Sequence, residues 1–564
     1  MFFFDFNWQI QSFLNQFFWP VNFLLLAILV ILGYLAYKKP AYAAGLTIIL
    51  LPTYLFRSKI WFLPVTFLEL CIWITFIGWV FSLLRTKSYG PKAAGYKWPI
   101  ILILLAGTVS VFVSPDKTAA AGLWKAYFIE PIIFFIVVIN VTRVAEPEGS
   151  TAAEAKASAT RNKNHEIILW SLGISTLVIS GLAIFQKFTG FGIAEVGWVA
   201  VSRRRVTSVF TSPNAVGLYL GPIVAIYLGW LTAEIKNYKK VILKLLIIIP
   251  ALSAIAFTIS QGTWIGLLAA VVFLGYFGWN KKWTTVIIAL LITATLFIPS
   301  VRNKALPILT FQDPAGQNRV ELMKISYDYL VQSPKNFILG AGIFGFPQIH
   351  EQLRDPLKTE PLLYPHNILL NFWLEIGLLG LIAFVWLIIK FLRNGFKNMR
   401  PKTSPGADWL NLGAMSAMTA IIIHGLVDVP YFKNDLAMLF WIVIGLIIIN
   451  SRLHKKMHFH KKHTTPIILG DKTATWRLWD DKNLAAGDMV DFLETETEKK
   501  FATAVIINTV EKPIGKLTTE DRIGHEEFQN QKEMYEAFEK YYKKPVGPET
   551  IVKIVRFKLI SNKK

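Results

Sequence analysis

The chain has 564 residues, of which 54% are hydrophobic and 14% aromatic, and its formal net charge at pH 7 is +22. Its mean hydropathy of +0.45 excludes a soluble globular protein of this length. The apolar residues come in runs of about 17–25, each long enough to cross a bilayer as a helix. Because a helix satisfies its backbone hydrogen bonds internally, we predict a polytopic α-helical membrane protein.

The positive charge is unevenly placed. Residues 465–564 hold 17 Lys and Arg against 17 Asp and Glu, so the whole net charge falls on residues 1–464. In a membrane protein such an excess indicates cytoplasmic loops at an anionic leaflet and not nucleic-acid binding. The single cysteine, Cys71, lies in an apolar run, which excludes an intrachain disulfide and a cysteine-ligated metal site.

Hydropathy predicts about thirteen transmembrane helices. They lie near residues 20–37, 40–56, 62–84, 98–114, 123–142, 166–187, 208–232, 240–259, 263–279, 284–300, 367–392, 408–427 and 435–450. Residues 2–19 are aromatic but lack the apolar length of a span, and we predict an interfacial helix there.

The distribution of Lys and Arg among the short loops predicts how these spans are oriented. Alternate loops are rich in basic residues, for example 143–163 and 393–402, and we assign them to the cytoplasm. We therefore expect a multi-pass protein of the cytoplasmic membrane, with the N-terminus outside and the C-terminal region in the cytoplasm. The loops 188–207 and 301–363 then lie outside.

These features divide the chain into four parts. We predict N-terminal transmembrane helices (1–114), a second transmembrane domain with the large outer loop 301–363 (115–455), a basic linker (456–464) and a small cytoplasmic domain (465–564).

Arginines on the outer side suggest a bound anion. Arg203, Arg204 and Arg205 break the charge rule in the loop 188–207, although a solvated basic cluster or a wrong span count would also explain them. Arg319 lies near the start of a helix predicted at 318–330, where a salt bridge to Glu321 or Asp313 is the simpler explanation. Guanidinium groups pair with phosphate oxygens at two points, so Arg205 and Arg319 together would clamp a pyrophosphate.

A histidine next to a helix start is the candidate base. His366 follows Pro365, which suits the first turn of a helix, and the positive end of that helix favours a neutral imidazole. A neutral imidazole can accept the proton of an attacking hydroxyl. The alternative is a histidine that merely marks the membrane interface.

Other polar residues have two explanations each. Asn214 follows Pro213 at the start of a span and is either a helix cap or part of the site. His424 and Asp428, near the end of the twelfth span, equally fit a structural pair. Glu69, Glu130 and Glu375 lie near membrane depth and are expected to face the bundle interior.

Several segments, in this order, resemble the O-antigen ligase and polymerase family. They are RVTSVFTSPN (205–214), SQGTWIG (260–266), GQNR (316–319), LGAG (339–342), PHN (365–367) with EIGLLG (375–380), and HGLVD (424–428). The resemblance extends from about residue 115 to residue 450. Each motif alone is weak, but the ordered set with the large loop is fairly specific.

The resemblance implies an inverting glycosyltransferase that uses neither metal nor cofactor. It would transfer a glycan from an undecaprenyl-diphosphate carrier to an acceptor hydroxyl at the outer face of the cytoplasmic membrane. His366 would be the base or orient the acceptor. The remaining roles would be diphosphate binding (Arg205, Arg319, Arg204) and support (Asn214, Asn367, Glu375, Asp428). The family often has Arg in a Ser-Arg-Gly turn where this chain has Gln261, so that charge is absent or comes from Arg203 or Arg204.

Other functions stay open at this point. A transporter or flippase for lipid-linked glycans would need polar residues through the membrane-depth helices and paired broken helices. A membrane anchor would make the Arg and His set accidental. Ligation of a finished glycan and polymerisation of repeat units are not separated by the sequence, and the acceptor would be a lipid A core, another sugar chain or a protein.

Residues 465–564 predict a small α+β domain. Short strands are expected at 489–493, 502–508 and 551–559, and a charged helix at 526–542. The segments GDKTATWR (470–477), LAAGD (484–488) and LTTE (517–520) resemble the ASCH family of PUA-like β-barrels.

The ASCH resemblance implies an RNA or modified-nucleoside ligand. Lys472 and Thr475 match the Lys-x-x-Thr spacing of relatives that hydrolyse acylated cytidines, with Arg477 beside them. The matching carboxylate is ambiguous among Glu520, Glu526 and Glu527. Solvated Lys472 and Arg477 side chains on a barrel surface are the alternative, and the neutral charge of the domain argues against non-specific nucleic-acid binding.

Overall fold

The structure is a computed structural model. It describes residues 2–4, 11, 15–60, 63–86, 95–142, 151–193, 195–234, 237–353, 362–397, 399, 409–478, 484 and 489–559. The chain divides into two compact units. The first contains Met1–Val141, Ile167–Lys402 and Asp408–Ile448, and the second contains Thr142–Glu166, Thr403–Ala407 and Ile449–Lys564.

The first unit is mostly helical. The helices that lie wholly or partly in it, in chain order, are α1 (Phe18–Lys38), α2 (Pro40–Ile49), α3 (Phe67–Thr86), α4 (Lys97–Val113), α5 (Lys117–Trp124), α6 (Glu130–Val141), α7 (Thr151–Thr189), α8 (Pro213–Ala233), α9 (Tyr238–Thr258), α10 (Gln261–Phe277), α11 (Lys281–Phe297), α12 (Pro299–Leu309), α13 (Pro314–Val331), α14 (Pro334–Leu339), α15 (Phe346–Leu353), α16 (Ile368–Lys397), α17 (Trp409–Gly425) and α18 (Asn434–Leu453). A π-helical turn, Lys125–Ile129, joins α5 to α6.

The apolar helices agree with a polytopic membrane protein. Within the described residues, seven helical stretches are long and apolar enough to cross a bilayer, and five shorter helices are also apolar. Each of the thirteen predicted spans overlaps a helix. The count of thirteen stays a prediction, because length and composition support only the seven.

The amino terminus differs from the predicted interfacial helix. Phe2–Phe4 forms strand β1, which pairs with β2 (Phe56–Ile60), and β2 pairs with β3 (Leu63–Thr66). Aromatic residues favour strands when a neighbouring strand is available, and this contact is not visible in a local pattern. Residues 5–10 and 12–14 lie outside the described part of the chain.

The loop predicted at 301–363 is largely helical. The helix predicted at 318–330 is α13, and Asp313 caps it by accepting a hydrogen bond from Gly316 N–H. Helices α13 and α15 share an apolar core with α16, formed by Leu322, Ile325, Leu330, Ala341, Phe346, Ile349 and Leu374. This core fixes Arg319 relative to the start of α16.

The segment between α14 and α15 contacts a kink in α16. Ile376 and Gly377 depart from helical geometry, and Gly377 has φ +71°, which favours glycine. The kink leaves the Leu374 carbonyl free to accept a hydrogen bond from Ala341 N at 2.7 Å. The loop between α14 and α15 therefore docks on the kink.

The second unit contains a five-stranded sheet. Its strands are β4 (His454–Phe459), β5 (Ala474–Arg477), β6 (Met489–Glu494), β7 (Lys500–Pro513) and β8 (Ile551–Leu559), and its helices are α19 (Lys461–Leu469), α20 (Thr519–Arg522) and α21 (Gln531–Tyr542). The strand order is β4-β6-β7-β8-β5, with β4 parallel to β6 and the other pairs antiparallel. The sheet is open, and the closed PUA-like barrel of the ASCH family stays a prediction.

The sheet begins before the predicted boundary at residue 465. The three predicted strands are β6, β7 and β8, and the predicted helix is α21, but the segment predicted as a basic linker (456–464) contains most of β4 and the start of α19. Met457 and Phe459 of β4 are buried in the core of this unit. The strand β4 is hard to recognise in the sequence because only two of its side chains are apolar and the others are basic.

Candidate active site

Asp428 is the point where distant segments of the first unit meet. It lies in the loop between α17 and α18 and is only 4% exposed. Its Oδ1 lies 3.3 Å from His366 Nδ1, and its Oδ2 accepts a hydrogen bond of 3.1 Å from Asn214 Nδ2. His424 Nε2 lies 4.0 Å from Oδ2. The predicted pair of His424 and Asp428 is therefore part of a larger cluster.

These neighbours stabilise the ionised form of the Asp428 carboxyl group. Burial alone raises the pKa of a carboxyl group, but the His366 and His424 rings and the Val429 N–H hold the pKa of Asp428 below its ordinary value. A carboxylate accepts hydrogen bonds only, so His366 Nδ1 carries the proton that faces Asp428. In the neutral form of the ring, His366 Nε2 is then the acceptor.

His366 has a strained backbone. Its φ is +49°, a left-handed conformation that is uncommon for residues other than glycine. The helix α16 starts two residues later, and Asn367 is its cap, since Asn367 Oδ1 accepts hydrogen bonds from Leu369 N and Leu370 N at 3.0 and 3.1 Å. Asn367 Nδ2 also donates to the Leu426 carbonyl at 3.2 Å. Asn367 therefore supports the site by fixing the backbone next to His366.

Arg205 joins the cluster through Asn214. Its Nε donates to the Thr258 carbonyl at 2.8 Å, its Nη2 lies 3.5 Å from Asn214 Oδ1, and its guanidinium lies 5.7 Å from the centre of the Trp198 ring. Burial lowers the pKa of Arg205, which nevertheless stays a cation at neutral pH. Arg205, Asn214 and Asp428 thus form one chain of polar contacts.

Arg319 reaches the same loop from α13. Its Nε donates to the Val427 carbonyl at 2.9 Å, directly beside Asp428. The side chain is partly buried. The segment of Arg205 therefore contacts Asp428 through Asn214, and Arg319 contacts the residue that precedes Asp428.

Arg204 has a different position from Arg205. It is 7% exposed, and its Nε and Nη1 donate to the carbonyls of Val199, Lys187 and Phe188 at 2.9–3.0 Å. Two of these carbonyls belong to the last turn of α7, where backbone acceptors lack helical partners. These contacts indicate a structural role for Arg204 and do not support the predicted diphosphate contact.

Glu375 anchors the segment between α14 and α15. It is 3% exposed, and its Oε2 accepts a hydrogen bond of 2.8 Å from Phe344 N. Its backbone carbonyl accepts a hydrogen bond from Ser110 of α4. These contacts make Glu375 a support of the fold around the site.

Gln261, at the position of the family's arginine, is the first residue of α10. The next residue, Gly262, lies against His424, because a Cβ there would lie 2.7 Å from His424 Cδ2. Because Gly262 has no side chain, the turn leaves space for the His424 ring beside Asp428. Arg203 was the other predicted source of charge, and its side chain lies outside the described part of the structure.

Lys433 was not selected from the sequence. It is partly buried in the loop that contains Asp428, and its Nζ lies 5.2 Å from the centre of the Phe210 ring. Burial lowers the pKa of Lys433, whereas Asp435 and Asp428 favour its charged form. A lysine two residues before an Asp, directly before a predicted span, is the signal in the sequence that indicates it.

Within the described residues, no three His, Cys, Asp or Glu side chains are grouped so as to hold a metal ion. No curated protein matches the chain. Residues 245–385 match the model of the family described as O-Antigen ligase. This segment is therefore similar to the O-antigen ligase family.

The match confirms the resemblance predicted from the motifs. The matched segment contains Gln261, Arg319, His366, Asn367 and Glu375. The other contacts of the cluster come from residues on either side of this segment, namely Arg205, Asn214, His424, Asp428 and Lys433. The family supports a role in glycan transfer during assembly of the cell envelope.

A separate cavity of about 430 Å³ lies in the second unit. The cavity is lined, among others, by the three residues of the candidate ASCH site, Lys472, Thr475 and Arg477. Lys472 Nζ lies 3.2 Å from Glu526 Oε2, and Glu527, a second of the three candidate carboxylates, also lines the cavity. His463 Nδ1 lies 3.1 Å from the same oxygen.

The electrostatics of this cavity centre on Glu526. Burial lowers the pKa of Lys472, whereas Glu526 favours its charged form. Burial raises the pKa of Glu526, but Lys472 and His463 bring it below its ordinary value. The Trp476 and His525 rings stack at 4.0 Å and form one wall. A lysine, a carboxylate and aromatic rings therefore face one space.

Proposed function

We propose that this protein transfers a glycan from an undecaprenyl-diphosphate carrier to an acceptor hydroxyl, with inversion and without a metal. The reaction would take place at the outer face of the cytoplasmic membrane, with the N-terminus outside and the C-terminal unit in the cytoplasm. The observation that supports this most is the contact of His366 and Asn214 with one buried carboxylate, Asp428.

His366 would act as the base. Its Nε2 accepts the proton of the acceptor hydroxyl while the acceptor oxygen attacks the anomeric carbon, and the bond from that carbon to the diphosphate oxygen breaks. Asp428 stabilises the imidazolium that forms and fixes the tautomer. A positioned base of this kind contributes about 10²–10⁴-fold to the rate.

Arg205 and Arg319 would stabilise the leaving group. Negative charge develops on the diphosphate as it departs, and fixed guanidinium groups in a site of low dielectric are worth several kcal/mol. Both arginines are held by a hydrogen bond from Nε to a backbone carbonyl, to Thr258 and Val427 respectively. This contact orients each guanidinium before the donor binds.

A transporter or flippase for lipid-linked glycans is the alternative. Transporters place their substrate site near the middle of the bilayer, on discontinuous helices. Here Arg205, His366 and Asp428 lie in loops at helix ends, so we favour transfer. The acceptor (glycan, lipid or protein) and the choice between ligation and polymerisation stay open.

An in vitro transfer assay tests the proposal. The full-length protein in nanodiscs is given a glycan linked to undecaprenyl diphosphate and candidate acceptors, with and without a chelator. We expect product in both cases, and none from His366→Ala. Normal product from well-inserted His366→Ala, Arg205→Ala and Arg319→Ala would reject the assignment, and loss of product with the chelator would reject its metal independence.

The second unit favours a second candidate function. We propose that its cavity binds a nucleoside or an RNA base, because aromatic rings and a lysine–carboxylate pair face the same space. Titration of the full-length protein with cytidine and N4-acetylcytidine tests this. The control is Lys532→Ala, because Lys532 is exposed. Binding that is lost in Lys472→Ala and kept in Lys532→Ala would support the proposal. Absence of binding to the wild-type protein would reject it.

A further inference from the structure

The backbone at Lys433 is fixed relative to the candidate base. The Lys433 N–H donates to the Tyr431 carbonyl at 2.8 Å, and Tyr364 Oη donates to the Phe432 carbonyl at 3.0 Å. Tyr431 Oη in turn donates to the Tyr127 carbonyl at 2.9 Å. Tyr364 precedes His366 by two residues. These hydrogen bonds therefore fix the backbone at Lys433 relative to the backbone at His366.

The Lys433 side chain extends towards the segment that contains Arg205 and Asn214. Its Nζ lies 5.2 Å from the ring of Phe210, halfway along that segment, and interacts electrostatically with Asp428. Its second carboxylate neighbour is Asp435, which is fully buried at the start of α18. Lys433 is therefore the third cation of the Asp428 cluster, beside Arg205 and Arg319.

The charge of the cluster without Lys433 does not match a diphosphate. Arg205 and Arg319 provide two positive charges, and the carboxylates of Asp428 and Asp435 offset them. A diphosphate esterified at both ends carries two negative charges, and a partly buried anion of this kind needs matching cations. A lysine adds a compact positive charge that suits a single phosphate oxygen.

We propose that Lys433 binds a phosphate oxygen of the donor and completes the diphosphate site that the two arginines begin. This inference rests on the proposed transferase function. The alternative is a structural lysine that only packs on Phe210 and offsets Asp428 and Asp435. The two alternatives differ in how the donor KM responds to substitution.

Transfer kinetics with varied donor concentration separate them. The full-length protein in nanodiscs is compared as wild type, Lys433→Gln and Lys433→Arg, with Lys335→Gln as the control because Lys335 is exposed on α14. We expect the donor KM to rise roughly 10–100-fold in Lys433→Gln, since one charge-assisted hydrogen bond is lost. We expect kcat to change less, Lys433→Arg to stay within a few-fold of wild type, and Lys335→Gln to be unchanged.

Binding of undecaprenyl diphosphate to the same four proteins gives a readout that needs no acceptor. Weaker binding in Lys433→Gln, with a smaller dependence on salt, would support the inference. An unchanged donor KM and affinity, or an equal loss of thermal stability and activity in both Lys433 variants, would overturn it. If Arg205→Gln and Arg319→Gln raise the donor KM while Lys433→Gln does not, only the lysine assignment fails. A wild-type protein that neither binds nor transfers the donor overturns both.

Discussion

His366 Nδ1 lies 3.3 Å from Asp428 Oδ1, although the two residues belong to loops at the ends of different helices. The carboxylate also accepts a hydrogen bond from Asn214 Nδ2, so a single buried group orients a candidate base and connects it to the Arg205 segment. Under the proposed function, we expect Asp428 to orient the His366 ring.

Asp428→Asn should therefore lower transfer strongly while leaving the fold intact. The amide is nearly isosteric, but its NH₂ group can face His366 Nδ1, which favours the wrong tautomer, and it cannot stabilise an imidazolium. We expect kcat to fall by about 10²–10⁴-fold with a small change in donor KM. Ser416→Ala, a buried substitution on α17 away from this cluster, is the control. An Asn variant with a normal kcat would show that Asp428 is dispensable.

The two neighbouring arginines should behave differently. Arg205→Gln is expected to weaken donor binding and transfer with little effect on insertion, because its Nη2 faces Asn214 in the cluster. Arg204→Gln should instead lower thermal stability, because it leaves carbonyls at the end of α7 without their donor. Measurement of the melting temperature and the donor KM for both variants checks this. The opposite pattern would return Arg204 to the site.

Arg204 and Arg205 also show how much of the candidate site the sequence alone predicts. Hydropathy and motif order located the helices and the residue types of the site, because both depend on local chemistry. The sequence could not separate Arg204 from Arg205, since their roles depend on which carbonyls the folded loop brings near. The contacts of Lys433 depend in the same way on the folded loop. The strand β4 resembles a linker in the sequence because its partner, β6, lies beyond α19 and β5 in the chain.

The kink of α16 gives a further prediction. Gly377 has φ +71°, and a Cβ there would lie 2.6 Å from the Ile338 carbonyl oxygen. Gly377→Ala should thus displace α14 from the kink and destabilise the site, at a cost of at least 1 to 3 kcal/mol from the backbone alone. The control is Gly181→Ala on α7, where no atom lies within 4 Å of the added Cβ. A thermal-shift assay should show a lower melting temperature only for Gly377→Ala.

The strand β4 predicts where an independent C-terminal unit begins. A fragment of residues 449–564 should unfold cooperatively, because it keeps β4 and the buried side chains of Met457 and Phe459. A fragment of residues 465–564 loses both side chains and an edge strand, and each lost large apolar group costs about 2–5 kcal/mol. Urea unfolding of the two fragments tests this boundary. Equal stability would contradict the role of β4 in the core.

The same unit should lose stability in acid. Burial, the largest cause, lowers the pKa of His463 from 6.5 to about 4, and it does the same for His525, with Lys472 adding to both shifts. Between pH 4 and 6.5 the unfolded chain therefore binds more protons than the folded chain. The free energy of unfolding must then rise with pH over this window and become flat above it.

Hydrogen exchange of strands β7 and β8 in the full-length protein measures this dependence. We expect protection to fall as the pH is lowered from 7 to 4, after correction for the intrinsic exchange rate. His463→Gln combined with His525→Gln should flatten the profile, because the amide does not titrate in this range. His460→Gln is the matched control, since His460 pairs with Glu496 at the surface and lines the same cavity. A profile that stays equally steep in the double variant would assign the acid sensitivity to other groups.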